Sequence, residues 1–199
     1  MYQTIWLDIS SGKDKELFPV VLEKLRKFKG EGGFDYGEAG IIFEECDIFI
    51  LVDQEDAGAL LDFVLRELSP LEGVMEMRMG HLMKVSAPPK PLAEEPADPG
   101  SRLGTDITPE TRGKGPSFFL IFLDTLPSDH RTIYEALGEM NDPRMRYHAY
   151  CLDSYKEDIM VCMVMEAIEQ AKYHIITKLR SIQGIRDTRT FVVNNVEFL

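Results

Sequence analysis

The sequence predicts an α+β fold built from two tandem ferredoxin-like repeats, each β-α-β-β-α-β, packed sheet to sheet as a dimeric α/β-barrel-like pseudo-dimer. Three observations predict it. Asp47 to Met79 overlays Asp158 to Thr190 without a gap, at a constant offset of 111 residues (158 − 47). The same succession of strand-like and helix-like patterns stands on both sides of a Pro-rich segment. The strand-like segments FFLIFL, DIFILV and DIMVCMVM are apolar on both faces, so the side away from the helices needs a cover as well. The other repeat's sheet, stacked roughly 10 Å away, supplies it, and a homodimer partner is the alternative.

In the first repeat, Thr4 to Ile9 reads as a strand, and Leu17, Val20, Val21, Leu25 and Phe28 fall on one face of an amphipathic helix. A hairpin follows, Gly40 to Glu44 turning into Ile48 to Val52. Ala57, Leu60, Leu61, Val64, Leu65 and Leu68 give the stripe of a second helix, which Gly73 ends, where a left-handed backbone costs a glycine least. A last strand completes the unit. In the second repeat, Phe118 to Leu123 is the first strand, Pro127-Ser128 a turn and N-cap, and Ile133, Ala136, Leu137 and Met140 one helical face. The hairpin is Tyr147 to Leu152 with Ile159 to Val164. Ile168, Ala171, Ile175, Ile176 and Leu179 form the next helical stripe, and Gly184 matches Gly73. Asp8 and Asp124, which end the two first strands, correspond at an offset of 116, so the first repeat carries extra residues near the Gly-rich 30–33 segment.

Between the repeats, residues 86–116 hold seven of the chain's eleven prolines and no hydrophobic periodicity, which predicts an extended linker. The expected domains are therefore 1–85, a linker 86–116, and 117–199. Repeats of roughly 85 residues are small for independent cores, and mutual packing is expected. The net charge of −12 works against docking on phosphate backbones. No apolar stretch approaches the ~20 residues of a membrane span, and the start MYQTIWLD lacks a signal-peptide pattern, so a cytoplasmic protein is expected, without membrane or direct nucleic-acid partners. Cys46, Cys151 and Cys162 read as reduced thiols.

The pattern of an Asp, an apolar strand, a helix ending near Leu-x-x-x-x-Gly-[Val/Ile], and a strand with alternating Thr or Met resembles the effector-binding (RAM) domain of the Lrp/AsnC regulators. It runs over Asp47 to Met83 and again over Asp158 to Val193, with Thr188-Arg189-Thr190 particularly similar. The resemblance implies sheet-to-sheet pairing and binding of amino acids or related small effectors near subunit interfaces. Two features depart from the family. The residues before Thr4 leave no room for a helix-turn-helix, and the Gly that commonly precedes the matched Asp is absent from both repeats.

An amino-acid-like ligand needs a donor for its carboxylate and an acceptor for its ammonium group. The repeated Asp47, Asp158, Arg78 and Arg189 are residues of those types. Same-strand ion pairs, Glu76 with Arg78 and Asp187 with Arg189, explain the repetition equally well. His148, Tyr150, Cys151 and Asp158 are the residues that could gather around the second hairpin as a general acid/base or thiol site. The four histidines lack metal-ligand spacing, and no cofactor motif is present. Three readings follow. The preferred one is a stand-alone effector-binding or regulatory module without DNA-binding elements or catalytic residues, assembling as a homo-oligomer or with a regulatory protein. The others are a small enzyme of the dimeric α/β-barrel type and a ligand-free oligomerisation adaptor.

Overall fold

The computed structural model describes residues 1–42, 47–86, 117–126, 128–152, 158–165 and 168–199. The chain is α+β and divides into two compact units, Met1–Leu82 with Asn194–Leu199, and Met83–Val193. The expected linker lies outside the described residues apart from Ser86, as do Cys46 and Pro127.

In the first unit, β1 (Tyr2–Ile9), α1 (Asp14–Gly30), β2 (Gly37–Ile42), β3 (Ile48–Asp53), α2 (Ala57–Phe63) and β4 (Val74–Met83) follow in order. The strands are antiparallel in the order β2-β3-β1-β4, with Ile5 opposite both Ile50 and Met79. Side chains alternate along each strand. Ile5, Leu7, Ile9, Ile48, Ile50 and Val52 therefore share one face and pack with Leu17, Phe18, Val21, Leu22 and Leu25 of α1. Trp6, Phe49 and Leu51 point the other way and are buried too, so the strands are covered on both faces. Helix α1 departs from the expected stripe. Phe18 and Leu22 are buried, while Val20 is 38% exposed.

The second unit repeats this order with β5 (Ser117–Thr125), α3 (His130–Glu139), β6 (Met145–Leu152), β7 (Ile159–Met165), α4 (Ile168–His174) and β8 (Ile185–Phe198). Its strand order is β6-β7-β5-β8, again antiparallel. Phe119, Ile121, Leu123, Val161 and Met163 meet Ile133, Tyr134 and Leu137 of α3.

Both second helices finish in a π-helical turn at the same place, Val64–Leu68 after α2 and Ile175–Leu179 after α4. Ser69 N–H donates to the Val64 carbonyl (2.8 Å) and Arg180 N–H to that of Ile175 (2.9 Å). The row of every fourth residue is buried, Leu60, Val64 and Leu68 in one and Ala171, Ile175 and Leu179 in the other, together with Phe63 and its counterpart His174. Leu61, Leu65, Ile168 and Ile176 from the expected stripes are exposed. Gly73 and Gly184 have φ of +104° and +98°, and so occupy the left-handed region their type favours.

Each unit is completed by a tail from the other half of the sequence. Asn194–Leu199 belongs to the first unit, where Leu199 N–H donates to the Gly37 carbonyl (2.8 Å) and Glu197 pairs with Arg26 (3.2 Å). Conversely, residues 83–86 belong to the second, where Ser86 N–H donates to the His148 carbonyl and Ser86 Oγ accepts from His148 N–H, both at 2.9 Å. Among the described residues no helix is long and apolar enough to cross a membrane.

Candidate active site in the second unit

The helix-facing side of β6 is polar where that of β2 is apolar. By strand register, Ala39 opposite Ile50 corresponds to His148 opposite Val161, and Ile41 opposite Ile48 to Tyr150 opposite Ile159. On the helix above, the offset of 116 carries Phe18 to Tyr134 and Leu22 to Gly138. Gly138 leaves open the space that Leu22 fills in the first unit, and a Cβ at Gly138 would stand 3.9 Å from Cε1 of His148.

His148 is 3% exposed, and neither ring nitrogen has a hydrogen-bond partner among the described residues. Its ring lies 4.4 Å from that of Tyr134, which stacks on Tyr150 at 4.8 Å. Lys84 closes the cluster from outside. Its ammonium stands 4.6 Å from the Tyr134 ring centroid and 6.0 Å from that of Tyr150, and its backbone carbonyl accepts from the Tyr134 hydroxyl. Burial pushes the His148 imidazole below its usual range; a polar contact with the Tyr134 backbone, outside good hydrogen-bond geometry, opposes this and the Lys84 charge adds to it. Burial likewise raises Tyr134, assisted by Tyr150, and raises Tyr150, assisted by Glu135. At neutral pH the cluster thus presents a neutral imidazole and two phenols.

At its rim, Asp158 accepts from Thr125 through both the backbone N–H (3.2 Å) and the hydroxyl (2.9 Å). His130 Nε2 is 3.1 Å from the same oxygen, outside hydrogen-bond geometry. The Tyr150 hydroxyl donates to the His130 carbonyl at 3.4 Å.

The structure brings together His148 and Tyr150, with Asp158 one step away through His130. Cys151 is the fourth residue expected there, and strand alternation turns it to the opposite face. Tyr134, Lys84, Gly138 and His130 were not legible as site residues. Comparing the halves at an offset of 116 rather than 111 would have exposed Tyr134 and Gly138.

Of the residues expected to hold a zwitterion, Asp47 is buried just before β3, and Arg78 lies on β4 opposite Trp6. Strand β1 separates them. Arg189 lies on β8 opposite Phe122, is exposed, and sits 4.7 Å over the Phe191 ring; β5 separates it from Asp158. Asp187 pairs with Arg180 at 3.3 Å.

No family model matches the sequence, and no curated protein sequence matches it. Solved structures do share the fold. A candidate monooxygenase from Lactobacillus acidophilus matches at a TM-score of 0.59 and 10% identity, over 96% of this chain and 91% of that one. A candidate monooxygenase from Fusobacterium nucleatum matches at 0.58 and 9% identity, over 99% and 92%. An anthrone oxidase-like protein matches at 0.54 and 8% identity, over 100% and 92%. These three overturn the expectation of a stand-alone regulatory module, because each matches nearly the whole chain at a TM-score above 0.5 and is described as a candidate monooxygenase or as anthrone oxidase-like. AsnC of E. coli matches 47% of this chain at a TM-score of 0.35, too slight to carry an argument.

Proposed function

We propose that the chain is a small enzyme of the dimeric α/β-barrel type, with its two ferredoxin-like repeats closing sheet to sheet and its active site at Lys84, Tyr134, His148 and Tyr150. The observation that carries this reading is a buried imidazole whose ring nitrogens meet no partner in good hydrogen-bond geometry among the described residues, present in one repeat and replaced by Ala39 in the other. An imidazole kept neutral by burial is a general base at pH 7. The ammonium of Lys84 stands where it stabilises the anion that proton removal creates, and the Tyr134 hydroxyl holds the Lys84 backbone in place through its bond to that carbonyl. The Tyr134 and Tyr150 rings favour a flat aromatic substrate.

The reaction proposed is oxidation of an aromatic compound bearing an acidic C–H, the class suggested by the anthrone oxidase-like and monooxygenase descriptions of proteins with this fold. His148 accepts the proton from the substrate's CH2. The resulting carbanion is oxidised by dioxygen, CH2 becomes C=O, and the second oxygen atom leaves as water with the two hydrogens. Asp158 and His130 hold the rim and have no direct part.

Anthrone with an oxygen electrode tests the reading, because its conversion to anthraquinone consumes one dioxygen and releases one water. Wild type should exceed the buffer rate, and His148→Phe should lose about 100-fold or more. Tyr134→Phe should lose less. An unchanged rate in His148→Phe would sink the assignment of the base, and a wild-type rate equal to buffer would sink the substrate class.

A further inference from the structure

We infer a second, separate ligand site in the first unit, at Gln3 and His81, for a small uncharged molecule with a planar amide-type edge. Gln3 is fully buried on β1, and neither its Oε1 nor its Nε2 has a hydrogen-bond partner among the described residues. Register places it directly opposite His81 of β4 on one side and Val52 of β3 on the other. His81 Nδ1 is also buried and without a partner. Cross-strand partners carry their side chains on the same face, so these two orphaned polar groups are neighbours at one end of the helix-covered core.

A buried amide with all its hydrogen-bonding capacity unused is costly, and a native core keeps one only where something satisfies it. Nothing in the duplication demands polarity here. The equivalent positions in the second unit are Phe119 and Val192, which pair with each other inside its apolar core. Gln3 and His81 are therefore particular to the first unit, as His148 is to the second.

The residues present define the ligand's chemistry. Gln3 offers an acceptor and a donor side by side, the geometry that pairs bidentately with another amide edge, such as a carboxamide, lactam or nucleobase. His81 supplies one further polar contact. The next residues on this face, Ile5, Met79 and Val52, are apolar and uncharged, so the ligand is neutral with a compact apolar body. Met77 and Met79 are the adaptable side chains that let a small body in.

The test uses the full chain with 15N-labelled glutamine side chains and benzamide as the probe. Gln3→Leu assigns the Gln3 resonance and should melt no lower than wild type, because it removes an unpaired polar group from an apolar setting. Benzamide should move the Gln3 side-chain resonance saturably and raise the wild-type Tm, and the Tm shift should disappear in Gln3→Leu and in His81→Phe. Toluene, of similar size without the amide edge, should do neither. The inference is overturned if benzamide leaves the Gln3 resonance in place. It is equally overturned if toluene acts as benzamide does, or if a long-lived water cross-peak to Gln3 persists at saturating benzamide, since that water would be the occupant.

Discussion

Restoring the first unit's packing in the second tests whether His148 occupies volume that its helix vacated. Three variants are needed: His148→Ala, Gly138→Leu and both together. Alanine at 148 removes a large side chain that is 3% exposed, at a cavity cost of about 2–4 kcal/mol, but it also removes two buried nitrogens that lack partners, recovering about 1–3 kcal/mol. The net loss is roughly 1 kcal/mol. Leucine at 138 begins from a Cβ in ordinary contact, 3.9 Å from the imidazole, yet its outer carbons enter the ring's space at about 1–3 kcal/mol, offset by about 1 kcal/mol for replacing a helical glycine. Together the two changes recreate Leu22 over Ala39. The double variant should therefore be at least as stable as wild type, with a coupling energy of about 2 kcal/mol in its favour. Urea denaturation of all four proteins measures the cycle. Additivity within about 0.5 kcal/mol would refute the shared volume. The double variant should also be as inactive toward anthrone as His148→Phe, which separates loss of the base from loss of the fold.

Three further outcomes are expected. The Asp142 carboxylate is 2% exposed and receives three bonds from Arg144, two from the guanidinium (2.9 and 2.8 Å) and one from the backbone N–H (3.0 Å), with Lys178 and His174 each at 3.5 Å. Asp142→Asn should cost about 2–4 kcal/mol in urea denaturation, less than a fully buried pair because Arg144 and Lys178 are 38% and 51% exposed, and a loss under 0.5 kcal/mol would contradict it. Burial holds His174 and His148 below the usual histidine range, so the unfolded chain binds more protons than the native one at mildly acid pH. The stability they contribute is complete above about pH 6.5 and is lost as pH falls below it; a urea midpoint unchanged between pH 7.5 and 5.5, or an equally steep fall in His148→Phe/His174→Phe, would count against this. Trypsin cleavage after Arg102 or Arg112 should leave the fragments together on gel filtration, because Asn194–Leu199 belongs to the first unit; two separate soluble monomers would defeat the pairing.

The strands and helices were legible because both repeats obey simple periodicities. Short unbroken apolar runs such as Ile48 to Val52 and Ile159 to Val164 read as strands covered on both faces, and Gly73 and Gly184 marked the turns that follow the helices. Helix faces were less legible. Val20, Leu61 and Ile176 fit a helical stripe by spacing yet lie exposed, since each helix buries a narrower row than its apolar residues would permit. The cluster was hidden by a change of register. Beyond the first helix the repeats align at 111, but the hairpin limbs pair so that Ala39, not Gly37, corresponds to His148. A fixed offset therefore set His148 against a glycine, where a histidine signals nothing. Tyr134 sat one residue beside the apolar stripe, and Lys84 comes from the other half of the sequence.

The two units differ by exchanges between contacting positions, and this bears on which differences reflect function. Leu22 and Ala39 correspond to Gly138 and His148. In the first unit Phe63 stacks on Phe28 at 4.2 Å, whereas at the offset of 111 its counterpart is His174, whose Nδ1 lies 3.1 Å from an Arg144 guanidinium nitrogen. Burial lowers His174 while Asp142 opposes, and the bonds from Arg144 hold the Asp142 carboxyl far below the usual carboxylate range. Here Arg144 bonds the Asp142 carboxylate and reaches His174 Nδ1, and only His174 Nε2, 3.5 Å from that carboxylate, lacks a hydrogen-bond partner among the described residues, so packing with charge balance accounts for most of the exchange. Around His148 no such charge balance is present. There, among the described residues, neither ring nitrogen meets a partner in good hydrogen-bond geometry beneath a tyrosine and a lysine. Packing alone would be served as well by the leucine and alanine of the first unit, at lower desolvation cost. The unsatisfied imidazole is therefore the exchange that packing does not explain, and it is the one assigned to chemistry.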